Sequence, residues 1–146
     1  MQSLATFPRQ VCTFYVGGQA FGIDVQTVQE VVRSLEMTEV PLATECVQGL
    51  INLRGQIVTA VDLRVRLRIA PEDSDRLPMH VVIRTVDGPL SLLVDRVGDV
   101  HEITEDQMES PPDTLDLSFK GMITATVKRD HDLLLILDID KVIQLN

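Results

Sequence analysis

The sequence predicts a mostly β protein, folded as small barrels or a sandwich with a few short helices. Three observations carry this. Short runs rich in Val, Ile and Leu recur between glycine, proline and aspartate turn signals. Strands do not alternate with long helical segments, and no fixed-period repeat is present. Aromatic residues make up only 3% of the 146 residues while 45% are hydrophobic, so branched aliphatic side chains must fill the core.

In chain order, Val11 to Val16 (VCTFYV) is a strand, Gly17-Gly18 a tight turn, and Ala20, Phe21 and Ile23 lie on the returning strand. Asp24 is a candidate N-cap, and Val25, Val28, Val31, Val32 and Leu35 recur at helical spacing. That spacing predicts a short helix near residues 25–34, weak in propensity because of its β-branched content, with Glu30 at its edge. EVPLA is extended, and Thr44 to Gln48 is expected to make one helical turn stopped by Gly49.

Ile51 to Leu53 leads into Gly55, whose missing Cβ permits a positive φ, and Gln56 to Asp62 reads as a strand. LRVRLRI, Leu63 to Ile69, is a strand with one charged face or a short helical turn. Ala70 to Pro78 is an acidic, proline-bounded surface loop. Met79 to Val86 and Leu90 to Asp95 form a hairpin across Asp87-Gly88, and Val97 to Ile103 is a strand with Gly98 at a bulge. Glu105 to Asp116 contains Pro111-Pro112 and is predicted as a second loop. Apolar residues resume from Phe119 to Val127, Lys128 to Asp132 turns, Leu133 to Leu137 is a buried strand, and Asp138 to Gln144 closes as a short helix.

A formal net charge of -9 opposes nucleic acid and anionic membranes. Neither a signal-peptide pattern nor an uninterrupted apolar stretch of membrane-spanning length is present, so the expectation is a soluble cytoplasmic chain. Cys12 and Cys46, in apolar contexts, are expected as buried reduced thiols; a disulfide would require export. His80, His101 and His131 form no HExxH or HxH pair, and the serines lack GxSxG. EDSD and DIDK do not match a calcium loop, and GGQAFG lacks the continuation of a phosphate loop. No catalytic constellation, metal site or cofactor is therefore predicted, and apolar runs with embedded charges suit a binding module. Arg54, between Leu53 and Gly55 in such a run, must reach solvent, sit beside an acid or await a partner, because an unpaired buried guanidinium is costly.

VQGLINLRGQIVTAVDL, Val47 to Leu63, resembles the signature of the CheW family of chemotaxis coupling proteins. FGIDVQTVQEVV, EVPLA, SLLVDRVGDV and LLLILDIDKVI extend the resemblance in order, over residues 10–144. The resemblance implies a single domain spanning residues 1–146, made of two five-stranded SH3-like β-barrel subdomains around a shared core. It also implies a non-enzymatic adaptor, recruited in the cytoplasm to arrays, that bridges chemoreceptor tips and the regulatory domain of the histidine kinase CheA, with other CheW-like domains as further partners. The alternative is a CheW-type scaffold with a modified role, in another chemosensory pathway or as a competitor of the main adaptor. A small β-barrel enzyme is the third reading, disfavoured by the missing catalytic groups.

Carried over residue by residue, the receptor groove would comprise Val28, Glu30, Gly49, Arg54, Val97 and Val100. Glu30 and Arg54, charges flanked by apolar residues, are expected to approach each other across that groove. Thr59 stands where the family usually places proline, which predicts a straighter or better hydrogen-bonded strand there.

Overall fold

A computed structural model describes residues 9–33, 35–41, 43–70, 77–113 and 119–144. β1 (Arg9–Val16) and β2 (Gln19–Asp24) form the first hairpin, and a 3-10 turn (Val25–Thr27) leads to β3 (Val28–Val32). β4 (Val47–Leu53), β5 (Gln56–Asp62) and α1 (Leu63–Leu67) follow. The hairpin β6 (Met79–Thr85) and β7 (Gly88–Val94) precedes β8 (Arg96–Ile103). A 3-10 turn (Glu105–Gln107), the two-residue β9 (Met108–Glu109), another 3-10 turn (Lys120–Met122), β10 (Ile123–Lys128), β11 (Leu133–Leu137) and α2 (Ile139–Val142) complete the order.

The strands make two sheets, ordered β8-β1-β2-β11-β10-β9 and β3-β6-β7-β5-β4. Each contains one parallel pair, β2 with β11 and β5 with β7, among antiparallel neighbours. Both faces of each sheet are apolar, and the side-chain period of two divides them between different cores. Phe14, Val16, Phe21, Ile23, Leu135 and Leu137 of the first sheet share one cluster with Val61, Val81, Ile83, Leu92 and Val94 of the second. Their alternates turn the other way: Val11, Ala20, Leu134 and Ile136 fill a cluster within the first sheet, and Val58, Ala60, Val82 and Leu93 one within the second. Phe21 is the centre of the shared cluster, stacked on Phe14 at 6.2 Å and edge-on to Phe119 at 5.5 Å between ring centroids.

The second sheet curls until its two edges meet. Thr38, beyond β3, pairs with Leu50 of β4 through two backbone bonds of 2.9 and 2.8 Å. Between outer strands of the first sheet, His101 of β8 lies 3.3 Å from the Arg129 guanidinium just past β10.

Three sequence expectations are corrected. The helix over 25–34 is only a 3-10 turn, with Asp24 accepting from the Gln26 N–H at 2.9 Å, followed by a strand paired to β6. A bulge between Val28 and Glu30 breaks the two-residue alternation: Val28 packs on the shared cluster and Val32 on the second sheet's own. Valines spaced at helical intervals resulted, but their branched side chains suit a strand better. Gly49 does not stop a helix; it lies inside β4, next to a second bulge at Val47/Gly49. A Cβ there would stand 2.7 Å from the Thr38 carbonyl oxygen, so only glycine admits the segment crossing over it.

The loop expected over 105–116 carries structure at its start. Thr104 N–H donates to Gln107 Oε1 at 2.8 Å around the 3-10 turn, and β9 pairs with β10. The loop expected over 70–78 and the end of the acidic stretch fall largely outside the described residues. The hairpins, the bulge at Gly98 and α2 agree with expectation, and LRVRLRI is the helix α1. Thr59 is flanked on both sides, by Leu50 and Leu90, in a strand interior where proline would remove a ladder donor.

Candidate functional site

The β4–β5 connection is a two-residue turn in which both central residues have positive φ, Arg54 at 52° and Gly55 at 86°. Hairpin twist favours this geometry, but it is normally left to Asn-Gly or Gly-Gly, since a long side chain such as arginine, without asparagine's local hydrogen bond, is strained there. The turn is secured from the preceding strand, where Asn52 Oδ1 accepts from the Gly55 N–H at 2.8 Å. The Arg54 side chain then reaches across the curled sheet to β3 and meets the Glu30 carboxylate in a two-pronged ion pair. Nη1 donates to Oε1 at 2.9 Å and Nη2 to Oε2. Two of the three fates foreseen for this charge hold together: Arg54 is paired, and its side chain is still 68% exposed, against 22% for Glu30.

The hydrogen bond from Arg54, reinforced by its charge, holds the Glu30 carboxyl below its ordinary value. Reciprocally, Glu30 raises the Arg54 guanidinium further above its own. β3 is anchored beneath them by Arg84, whose Nη1 donates to the carbonyls of Gln26 and Val28 at 3.1 and 2.7 Å.

The other expected groove residues divide. Val28 from the second sheet and Val97 from the first both pack, half-buried, on the shared cluster, which brings them to the junction of the sheets. Val100 stands on β8 opposite Cys12 and is 52% exposed. Gly49 is buried, with its Cα turned against Met37 and Thr38, so its place is under the crossing segment.

Two polar arrangements had no legible signal in the sequence. His80 is fully buried within the second sheet; its Nε2 accepts from the Leu35 N–H at 3.4 Å, which leaves the proton on Nδ1, 2.8 Å from the Ser91 hydroxyl. Burial lowers its pKa. Arg129 donates twice to Asp132 at 2.6 Å and reaches the Tyr15 hydroxyl and His101, beside a cleft of about 290 Å³. Its hydrogen bonds with Asp132 raise the guanidinium and lower the carboxyl. With four of its five N–H donors engaged inside the chain, Arg129 acts as a clip across the first sheet's seam.

Cys12 and Cys46 are buried free thiols. Among the described residues no group of three or more His, Cys, Asp or Glu side chains is arranged to hold a metal, and no helix is long and apolar enough to cross a membrane.

Comparison with known proteins agrees with this architecture. The chemotaxis protein CheW of Thermotoga maritima is 36% identical over 137 residues, covering 92% of this chain and 87% of that protein. Its counterpart in Treponema pallidum is 30% identical over 136 residues, covering 90% and 80%. The crystal structure of the scaffolding protein TtCheW from Thermoanaerobacter tengcongensis superposes with a TM-score of 0.85 at 26% identity, over 96% of this chain and 95% of that one. Residues 10–146 match the CheW-like domain, and the chain belongs to that family.

Proposed function

We propose that this chain is a non-catalytic chemotaxis adaptor that couples the cytoplasmic tips of chemoreceptors to the regulatory domain of the histidine kinase CheA and helps to build the signalling array. Family membership and the likeness to a CheW scaffold support the adaptor role in general. One observation supports the specific docking site. Arg54 is kept in a strained backbone conformation, on a turn that projects its charge into solvent, while Glu30 fixes its direction. Strain of this kind persists where the surrounding structure enforces it, and it concentrates at functional positions.

In this reading the two sheets are the two subdomains of one domain. The receptor's helical hairpin lies along their junction, with Val28, Val97 and Val100 meeting its apolar face and the Glu30–Arg54 pair fixing its register. Gly49 acts beneath the site by admitting the segment that closes the second sheet. The adaptor works in the cytoplasm at the array, without cofactor, nucleic acid or membrane insertion, and other CheW-like domains are its further neighbours.

The test is Arg54→Glu, measured against a soluble receptor-tip fragment and, separately, the CheA regulatory domain. An anchor arginine at an interface contributes more than about 1.4 kcal/mol, so receptor affinity should fall about tenfold or more while kinase binding holds. Undiminished receptor affinity overturns the docking site.

A further inference from the structure

We propose that Asn52 is a positioning residue, whose amide oxygen fixes the left-handed turn that aims Arg54 outward at a partner. The alternation of β4 places Ile51 and Leu53 in the core and Asn52 on the exposed face, opposite Ile57, so burial gives no reason for an amide there. The ladder of this hairpin ends at Leu53 and Gln56. The Gly55 N–H lies beyond it, and Asn52 Oδ1 takes that donor at 2.8 Å.

The chain after Leu53 must enter the left-handed region with an arginine, a residue that resists it, and one glycine alone does not select that conformation. Arg54 is therefore held at both ends. Asn52 holds the peptide next to it, and Glu30 holds its guanidinium. Without the amide oxygen the turn samples other conformations, the Cα–Cβ direction of Arg54 swings, and the two-pronged pair with Glu30 is no longer met. Local side-chain bonds of this type are how Asn and Asp select particular turns.

The role of Asn52 in docking rests on Arg54 being the receptor contact, but its effect on the turn does not, and the experiment separates them. Wild type, Asn52→Ala and Asn52→Asp are compared by hydrogen exchange at the Gly55 amide, by NMR titration of the Glu30 carboxyl, and by binding of a soluble receptor-tip fragment. In Asn52→Ala the Gly55 amide should exchange about fivefold faster, the equivalent of one hydrogen bond of about 1 kcal/mol. Glu30 should titrate closer to its ordinary 4.5, and tip binding should weaken by about the same factor, with a fall in the thermal midpoint of no more than about 3 °C. Asn52→Asp keeps an acceptor in place and should restore Gly55 protection. Wild-type Gly55 exchange and Glu30 titration in Asn52→Ala overturn the proposal, as does an aspartate variant as unprotected as the alanine one. If Gly55 and Glu30 respond as expected but neither Asn52→Ala nor Arg54→Glu changes tip binding, the positioning of Arg54 stands and the docking site falls.

Discussion

Replacing Gly49 by alanine tests the closure of the second sheet. The new methyl carbon would lie 2.7 Å from the Thr38 oxygen and 3.3 Å from both the Thr38 carbonyl carbon and the Met37 Cβ. The first separation is about 0.7 Å short of ordinary van der Waals contact, and the obstacle is backbone, which cannot rotate away as a side-chain tip would. The segment must lift, and its two bonds to Leu50, now 2.9 and 2.8 Å, stretch beyond useful length. Two backbone bonds at about 1 kcal/mol each give a loss of about 2 kcal/mol. The alanine's stiffer unfolded chain returns about 0.4–1 kcal/mol. A net destabilisation of about 1–2 kcal/mol is expected, a fall of about 3–6 °C in Tm for a chain of this size. Urea unfolding measures it, with faster hydrogen exchange at the Thr38 and Leu50 amides as the local sign. Gly121→Ala is the control, since a Cβ there meets nothing within 4 Å. Stability of Gly49→Ala within about 0.5 kcal/mol of wild type, with both amides still protected, would refute the closure argument.

Burial of neutral His80 predicts a pH dependence. Its folded pKa lies below the ordinary 6.5, so the unfolded chain binds more protons between the two values. The stability it contributes is complete above pH 6.5 and is lost as pH falls from there through the lowered value, whereas the depressed Glu30 and Asp132 carboxyls act only below their ordinary 4.5 and 3.8. Urea midpoints between pH 7.5 and 5 should decline in wild type and stay flatter in His80→Gln; parallel curves would count against the assignment. Arg68, which ends α1 in the left-handed region at φ 60°, offers the opposite sign. Arg68→Gly removes about 1–2 kcal/mol of Cβ strain and returns part of it as unfolded-chain freedom, so a gain of about 0.5–1 kcal/mol should appear in thermal unfolding, and a loss would show that the side chain contributes more than its strain costs.

The local features of this fold were legible in the sequence. Gly17-Gly18, Gly55 and Asp87-Gly88 mark hairpin connections because positive φ is a single-residue requirement, and Asp24 caps the turn after β2. The Glu30–Arg54 contact was anticipated because two charges inside apolar runs need an outlet. What stayed hidden depends on tertiary neighbours. The bulge in β3 shifts its valines out of register and imitates helical spacing, and nothing near residue 28 announces that β6 will pair with it. Gly49 resembles a helix stop until Thr38 is brought over it. The buried pair of His80 and Ser91 lies on partnered strands 11 positions apart, and neither residue differs locally from a surface one.

The two sheets draw on the chain differently. Every strand of the second, β3 to β7, comes from the continuous stretch between Val28 and Val94, whereas the first joins β1 and β2 to strands near the other end. The Gln19 side chain donates to the Leu133 carbonyl across 114 positions of sequence. During synthesis the middle sheet has all its partners once residue 94 is free, but the β1–β2 hairpin must wait, with its Val11 and Ala20 face uncovered and the β2 edge unpaired, until β10 and β11 arrive. Closure of that long loop makes the first sheet the slow step of folding. It also makes the emerging hairpin the segment with most need of protection from aggregation.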